Sequence, residues 1–246
     1  TSQDKGSAND ELWLLKCGPV AHGAPPASWY MMRGAAAAPS ARAHHSMVRM
    51  PSTVHTTNPA VLLYGGSSPP AGVPTGYTLA ANSGDPTGDF HSDTWQLIVQ
   101  SSGGAKYNAR WVRLSEEGWA APPARGGHAA ASHTHGSCCA SLGCMLIFGG
   151  LSSTHQPLSD LWQFCVSTGK WVELVPSAAA EAITRIGARN LWPTYLADAW
   201  PEVVWPTPRH QHSLTALAAA PSPHLAANSS AEPGALLLFG GIGGPT

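Results

Sequence analysis

Residues 128–144 carry a dense group of side chains that could bind a transition metal. The stretch reads HAAASHTHGSCCASLGC, and imidazole nitrogens and thiolates are the usual ligands of zinc and copper. Metal ligands must converge on one point, whereas neighbouring residues of an extended hairpin point to opposite faces. His133 and His135 would face the same way, but Cys138 and Cys139 would diverge, and the stretch has no C-x-x-C or H-x-x-x-H spacing. The spacing therefore predicts no metal site in this hairpin.

The sequence also lacks the common arrangements for catalysis and phosphate binding. No G-x-S-x-G motif and no phosphate-binding loop occurs, and SGDPTGD lacks the acidic run and terminal Glu of a calcium-binding loop. Asp85 and Asp89 lie in a stretch rich in Gly and Pro, where aspartate typically forms turns rather than acid/base pairs. We therefore predict no catalytic residues, no bound metal and no cofactor.

The charge balance argues against nucleic-acid and membrane partners. The 246 residues have a formal net charge of -1, only 11% are charged, and the Lys and Arg residues form no cluster. No apolar run approaches the roughly 20 residues that span a bilayer, and the N-terminal TSQDKGSAND has no leader pattern. We expect no nucleic-acid binding and no membrane span.

The cysteine content bears on the compartment. Five cysteines in 246 residues are an odd number at low density, unlike the paired cysteines of a small secreted domain. A reducing compartment is favoured, and we predict a cytoplasmic protein.

Four sequence elements, which we label a to d, recur in fixed order along the chain. Element a is P-x-x-R-x-x-H, with its arginine and histidine at Arg42 and His45, Arg125 and His128, and Arg209 and His212. Element b is an apolar run closed by two glycines, at Gly65 and Gly66, Gly149 and Gly150, and Gly240 and Gly241. Element c is acid-x-Trp, at Glu11 and Trp13, Asp93 and Trp95, and Asp160 and Trp162. Element d is a short strand around Trp29, Trp111 and Trp171. Each element is a short β-prone run bounded by turn residues.

These elements resemble the kelch repeat. The double glycine after an apolar run, the acid-x-Trp and the second tryptophan together imply the family's fold, an all-β kelch-type β-propeller of four-stranded blades within the galactose oxidase-like superfamily. The family usually has an aromatic, often Tyr, where this chain has Trp95 and Trp162. About three blade equivalents are present, so we expect part of a larger ring, because propellers close with four to eight blades. The predicted division is an N-terminal tail (1–10), a c-d half blade (11–32), complete blades (39–114 and 122–174), an insertion (175–205) and an a-b half blade (206–241), within a propeller region of 11–246.

The repeated residues are predicted to hold the blades together rather than to bind a ligand. The paired glycines would adopt backbone conformations that a Cβ disfavours, or would let neighbouring blades approach more closely than a Cβ allows. The arginine and histidine of element a would link strands and turns by hydrogen bonds. The tryptophans of elements c and d, namely Trp95, Trp111, Trp162 and Trp171, would fill the space between blades.

Two long insertions are predicted on one face of the propeller. Residues 67–92 connect b to c, and residues 175–205 connect d to a, so antiparallel strand order places both connections on the same side. The first is too rich in Pro and Gly for regular structure. The second predicts a short helix over 178–189, capped by Ser177, followed by several aromatic residues. The apolar members of the second insertion are Ile183, Ile186, Trp192, Tyr195 and Trp200. They either fold back on the propeller edge or form a docking surface for a partner.

The resemblance implies a non-catalytic scaffold for protein–protein interaction, as a subunit or domain of a larger assembly. One alternative is an accessory propeller of a multidomain enzyme that carries a phosphatase, methyltransferase or ubiquitin-ligase adaptor module. A copper enzyme similar to galactose oxidase is a further alternative, but the five tyrosines form no set with His or Cys.

Overall fold

The fold consists of β-strands connected by turns. The computed structural model describes residues 10–17, 27–32, 37–50, 60–68, 88–101, 107–114, 121–133, 143–174, 206–217 and 235–243. Every regular element in these residues is a strand, so the all-β prediction is confirmed. The strands are β1 (Leu12–Cys17), β2 (Ala27–Met32), β3 (Ser46–Arg49), β4 (Ala60–Tyr64), β5 (Ser67–Ser68), β6 (Asp89–Phe90), β7 (Thr94–Ser101), β8 (Tyr107–Arg113), β9 (Arg125–Gly126), β10 (Ala129–His133), β11 (Cys144–Phe148), β12 (Leu151–Ser152), β13 (Leu161–Cys165), β14 (Lys170–Glu173), β15 (Arg209–His210), β16 (Ser213–Leu217), β17 (Ala235–Phe239) and β18 (Ile242–Gly243). No helix that could cross a membrane occurs in this part of the chain.

Two four-stranded antiparallel sheets form complete blades. Blade 1 has the strand order β3-β4-β7-β8, and blade 2 has the order β10-β11-β13-β14. The second and third strands pair in the same register in both blades, because Leu63 lies opposite Trp95 and Ile147 opposite Trp162. Strands β1 and β2 form the N-terminal half blade, and β16 and β17 form the C-terminal half blade. Each repeat of the sequence elements thus folds as one sheet or part of one.

The blades follow one another in an arc. Strand β3 lies against β10, which in turn lies against β16, while β2 lies against β8. The N-terminal half blade is therefore next to blade 1, and the C-terminal half blade is next to blade 2. Within the described residues the strands do not close into a ring.

Short two-stranded ribbons accompany the blades. Strand β5 pairs with β6, β9 with β12, and β15 with β18. The first ribbon corrects the prediction that 67–92 lacks regular structure, because Ser67 and Ser68 pair with Phe90 and Asp89 at the two ends of that insertion. Residues 69–87 lie outside the described part of the chain. The first and last residues of this insertion lie side by side at the blade. They can therefore form backbone hydrogen bonds even though Gly and Pro dominate the residues between them.

The core lies between the two complete blades. Tyr64 is fully buried, and its ring lies edge-on to Trp171 of the next blade at a centroid distance of 4.9 Å. Its hydroxyl donates a hydrogen bond to the carbonyl oxygen of Pro122 at 2.7 Å, which satisfies the one polar atom of an otherwise apolar environment. The core cluster consists of Val48, Met50, Leu62, Tyr64, Met145, Ile147, Trp162, Phe164 and Trp171. Each blade therefore buries its apolar face against its neighbour.

The paired glycines allow this close packing of blades. Gly149 has a φ of 62°, in the left-handed region, and a Cβ on it would lie 2.5 Å from the carbonyl oxygen of Arg209. Gly65 has a φ of 65°, and its Cβ would lie 2.7 Å from the carbonyl oxygen of Arg125. In both cases the obstructing atom is backbone of the next repeat. Only glycine accepts both the conformation and the contact.

We expect Gly149→Ala to destabilise the protein far more than Gly169→Ala. Gly169 has nearly the same φ, 66°, but a Cβ there would meet nothing within 4 Å. The control should cost about 1 kcal/mol, the strain of a left-handed alanine. Gly149→Ala should cost about 2 kcal/mol more, because the backbone of the next repeat must move. Urea unfolding followed by tryptophan fluorescence measures both, and equal losses would contradict the role of the interblade contact.

Candidate functional site

A buried arginine organises the edge of blade 2. Arg125 is fully buried, and its Nη1 and Nη2 donate to Oδ1 and Oδ2 of Asp160 at 2.6 and 2.5 Å. The same Nη1 donates to the carbonyl oxygen of Gly149 at 2.9 Å, and Nε donates to that of Pro123 at 3.1 Å. Trp162 donates from Nε1 to Asp160 Oδ2 at 2.7 Å. The two-pronged contact is the strong form of an arginine–carboxylate pair.

Blade 1 contains the same cluster. Arg42 donates to both carboxylate oxygens of Asp93 at 2.6 and 3.0 Å and to the carbonyl oxygen of Gly65 at 3.0 Å. Trp95 donates from Nε1 to Asp93 at 2.7 Å. Burial raises the pKa of Asp93, but the hydrogen bonds from Arg42 and Trp95 outweigh burial and hold this pKa below its usual value. The carboxylate therefore stays ionised in the folded protein.

Strand order explains why these residues meet. The arginine precedes the first strand of its blade, the double glycine follows the second, and the acid precedes the third. In an antiparallel sheet the start of the first strand, the end of the second and the start of the third lie at the same end of the strands. The arginine also connects blades through its backbone, because Gly66 N–H donates to the carbonyl oxygen of Arg125 at 2.9 Å, and Gly150 N–H donates to that of Arg209 at 2.9 Å. Arg125 and Arg209 thus contact their own blades with their side chains and the preceding blade with their carbonyl groups.

The third arginine lacks part of this arrangement. Arg209 is only half buried, and it donates to the carbonyl oxygen of Gly240 at 3.2 Å and to Thr207 Oγ1 at 2.9 Å. No carboxylate contacts its guanidinium in the part of the chain that the structure describes.

The histidines of element a differ in their environment. His128 is buried, its ring lies edge-on to Tyr64 of the preceding blade at 5.5 Å, and its Nε2 is 2.6 Å from Ser46 Oγ. His212 is buried in the equivalent position, with its ring 5.5 Å from that of Phe148. His45 is exposed. The histidine packs on the aromatic residue that ends the second strand of the preceding blade, so burial depends on that neighbour.

Burial keeps these histidines neutral. Desolvation, assisted by the positive charge of Arg125, lowers the pKa of His128 well below its ordinary value of 6.5. Desolvation, followed by the charge of Arg209, lowers the pKa of His212 to about 4. These neutral imidazole rings pack on the aromatic rings of the preceding blade.

Backbone hydrogen bonds also link successive blades just before their first strands, and no sequence motif indicated these bonds. The residue before the motif histidine has a left-handed backbone in every repeat, with φ of 56° at His44, 68° at Gly127 and 56° at Gln211. Gly127 N–H donates to His44 O at 2.9 Å, and Gln211 N–H donates to Gly127 O at 2.7 Å. Glycine adopts this conformation without strain, whereas residues with a Cβ such as His44 and Gln211 adopt it rarely, so the three positions share no residue type that would have indicated the geometry.

The tryptophans of elements c and d occupy different depths. Trp95 and Trp162 are each 9% exposed and bind the acid of their own blade. Trp171 is buried and donates from Nε1 to Thr94 Oγ1 of blade 1 at 3.0 Å, a contact between blades. Trp111 is half buried, and Trp29 is 63% exposed. How deeply the tryptophan of element d is buried therefore depends on whether a preceding blade packs against it.

The two described ends of the His- and Cys-rich stretch form a pair of strands. His133 and Cys144 lie opposite each other across β10 and β11, and Cys144 Sγ donates to the carbonyl oxygen of His133 at 3.3 Å. His135, Cys138 and Cys139 lie outside the described residues. Among the residues with described positions, no three His, Cys, Asp or Glu side chains are grouped as metal ligands.

Residues 132–177 match the family model of the Kelch motif. The chain contains a kelch repeat. The matched segment takes in β11 to β14 and the end of β10, so it covers most of blade 2 with its double glycine, Asp160 and Trp171. The match confirms the resemblance predicted from the repeated elements, and kelch repeats form the blades of β-propellers that are generally non-catalytic protein-interaction modules. No curated protein matches the chain at a significant level.

The buried ion pair between Arg125 and Asp160 provides a stability prediction. Asp160→Asn removes the charge that compensates the fully buried Arg125, so we expect a loss of about 3 kcal/mol in the free energy of unfolding, the low end for a broken buried ion pair because the Asp160 side chain is 19% exposed. Urea denaturation measures this loss. The control is Asp89→Asn, which alters an exposed carboxylate and should change stability by less than about 0.5 kcal/mol. Equal effects of the two substitutions would show that the buried pair contributes nothing.

The buried histidines predict a pH dependence. In the unfolded chain His128 takes up a proton near its ordinary pKa of 6.5, whereas in the fold it stays neutral to a much lower pH. Protons therefore favour the unfolded state, and the free energy of unfolding should fall between about pH 7.5 and about pH 5. His128→Gln should reduce this slope, with His212 still contributing. A slope that is unchanged in the variant would contradict a neutral buried His128.

Proposed function

We propose that the kelch repeats form a rigid scaffold for a protein partner, and that the insertions 67–92 and 175–205 provide the contact surface. The observation that supports this assignment is the position of the residues flanking the two insertions. All of these flanking residues lie at the end of the blade strands where the double glycines are found.

The flanks of the first insertion are held to that edge by side chains. Ser68 Oγ donates to the carbonyl oxygen of Ala41 at 2.5 Å and lies 2.6 Å from Nε2 of His91. Because the Ser68 hydroxyl donates its hydrogen to the carbonyl oxygen of Ala41, Nε2 of the His91 ring donates to the Ser68 hydroxyl oxygen. His91 N–H donates to Gly66 O at 2.9 Å. The insertion therefore leaves from and returns to a fixed base.

The flanks of the second insertion reach the same edge in the next blade. Leu174 N–H donates to Leu161 O at 2.8 Å, beside the start of β13. After the insertion, Arg209 O accepts from Gly150 N–H and Arg209 N–H donates to Leu158 O at 3.0 Å. The connections of adjacent blades are also in contact, because the rings of Phe90 and His155 meet edge-on at 5.6 Å. Two long loops on adjoining rigid bases suit a continuous binding surface.

The composition of the second insertion suits an apolar or amphipathic partner segment. Trp and Tyr are favoured anchors of interfaces because they bury large rings and retain a polar atom. The proposed anchors are Ile183, Ile186, Trp192, Tyr195 and Trp200, all of which lie outside the described residues.

We expect replacement of residues 175–205 by a short Gly/Ser linker to abolish partner capture without unfolding the blades. The blade contacts of Leu174 and Arg209 lie outside the replaced segment. Affinity capture with the intact chain, followed by comparison with the variant, measures the loss. A paired substitution, Trp192→Ala with Trp200→Ala, should weaken capture at least tenfold if these rings are interface anchors.

The matched control alters the opposite face. Cys138→Ser with Cys139→Ser changes the connection between β10 and β11, which lies at the far ends of these strands from the double glycine. This variant should capture the same partners as the unaltered chain. Retention of every partner by the linker variant would refute the assigned surface.

A further inference from the structure

We propose that Cys144 and Cys165 form a reversible disulfide within blade 2, which closes when a low-molecular-weight disulfide oxidises the two thiols. The bridge fastens β11 to β13, the two central strands of the blade. The proposal concerns the chemistry of the blade itself and does not depend on the assigned binding surface. It rests on the strand register, which places the two cysteines directly opposite each other.

The two cysteines are neighbours across the sheet. Cys144 is the first residue of β11, Cys165 is the last residue of β13, and the two are partners in the antiparallel register. Residues that lie directly opposite in an antiparallel pair have their side chains on the same face of the sheet, with Cβ atoms about 4.5–5.5 Å apart. Both cysteines are present as thiols. The register therefore brings together two thiols from separate strands.

The hydrogen-bond pattern shows that this is the closer of the two kinds of cross-strand pair. Gly149 N–H donates to the carbonyl oxygen of Asp160 at 3.1 Å, and these two residues continue the register of β11 and β13. Hydrogen-bonded and non-hydrogen-bonded pairs alternate along an antiparallel ladder. Cys144 and Cys165 lie five pairs further along, at a non-hydrogen-bonded position, where Cα atoms are about 4.5 Å apart. This separation lies within the range of roughly 4.4–6.8 Å that a disulfide spans.

Blade 1 has an apolar pair at the equivalent position. The second and third strands of both blades pair in the same register, so Ala60 and Ile98 of blade 1 correspond to Cys144 and Cys165 of blade 2. Two side chains without sulfur therefore complete the same part of a blade. The packing of a blade does not by itself require thiols at this point.

The thiols are buried but lie at the ends of their strands. Cys144 and Cys165 are 0% and 1% exposed, and a buried thiol reacts only when the structure around it opens. The turn that follows Cys165 is exposed over residues 167–169, and Cys165 Sγ is 3.4 Å from Ser167 Oγ. Strand ends beside exposed turns open locally at lower free energy than strand centres. Opening at this turn gives an oxidant access to Cys165 first.

The reaction is a thiol–disulfide exchange in two steps. The Cys165 thiolate attacks one sulfur of oxidised glutathione, which forms a mixed disulfide and releases one glutathione that takes up the first proton. The Cys144 thiolate then attacks the Cys165 sulfur, and the second glutathione leaves and takes up the second proton. The two cysteines are thereby oxidised to one disulfide, and one glutathione disulfide is reduced to two thiols. An excess of reduced glutathione reverses both steps.

The bridge stabilises the folded blade. A disulfide restricts the unfolded chain and so raises the free energy of unfolding. Oxidation also removes the S–H group of Cys144, which donates to the carbonyl oxygen of His133 at 3.3 Å. A thiol is a weak donor, so this loss offsets little of the gain. The oxidised chain therefore resists urea better than the reduced chain.

Oxidation of the folded chain tests the proposal. The 246-residue chain is incubated with oxidised glutathione, its remaining thiols are alkylated, and the monomer is cleaved before Asp160, the only acidic residue between the two cysteines. The fragments that contain Cys144 and Cys165 should stay joined until a reductant is added, and the urea midpoint of the oxidised chain should exceed that of the reduced chain. Fragments that separate without reductant, or an oxidised chain with a lower midpoint, would overturn the proposal.

A chain with two cysteines identifies which thiols react. Cys17→Ser, Cys138→Ser and Cys139→Ser together leave only the proposed pair. This variant should form the bridge as the unaltered chain does. If the unaltered chain gave joined fragments and this variant did not, the other cysteines would be responsible and the proposal would be wrong.

A register control tests whether the opposed position matters. Cys144→Ser with Leu146→Cys, made in the two-cysteine chain, moves one thiol two residues along the same face of β11. Leu146 lies opposite Gln163, so its position is diagonal to Cys165 at about 7–8 Å, beyond the Cα distance that a disulfide spans without movement of the backbone. The control should bridge at least about tenfold more slowly than the two-cysteine chain. Equal rates would overturn the proposal.

Discussion

The buried arginine–carboxylate pair is the interaction on which the blades depend. A guanidinium removed from water is costly unless a carboxylate and carbonyl groups surround it, and Arg125 satisfies this requirement with Asp160, Gly149 and Pro123. These partners come from the chain before the first strand, after the second and before the third. One side chain therefore fixes three separate segments at one edge of the sheet, and the same solution appears in blade 1 with Arg42.

The blades are not independent units. The carbonyl groups of Arg125 and Arg209 accept hydrogen bonds from the preceding blade, and His128 and His212 pack on its aromatic residue. Trp171 donates a hydrogen bond to Thr94 across the boundary between blades. Stability is consequently shared between repeats and the contacts that join neighbours. This explains why equivalent residues such as His45 and His128 have different exposure, although their local sequences are alike.

The sequence allowed prediction of the all-β class and the repeated elements because spacing alone carries both. Arg42, Arg125 and Arg209 could be located from one motif, and the acid and double-glycine elements recur in order. The pairing of Arg125 with Asp160 required the strand order, which places residues 35 positions apart at one edge. The left-handed backbone at His44 and Gln211 was not predicted because residues other than glycine rarely adopt that conformation. The ribbons escaped because their two-residue strands have no periodicity to detect.

The two arginine pairs close chain segments of different length. Arg42 and Asp93 are 51 residues apart, whereas Arg125 and Asp160 are 35 apart, yet the contact between Nη1 and Oδ1 is 2.6 Å in both pairs. The entropy of closing a flexible loop grows only with the logarithm of its length, about 0.6 kcal/mol for each doubling. The added residues in blade 1 therefore cost little conformational entropy. A sheet fastened in this way can gain or lose surface loops over evolutionary time while its framework keeps the same geometry, so that new binding specificities can arise without a new fold.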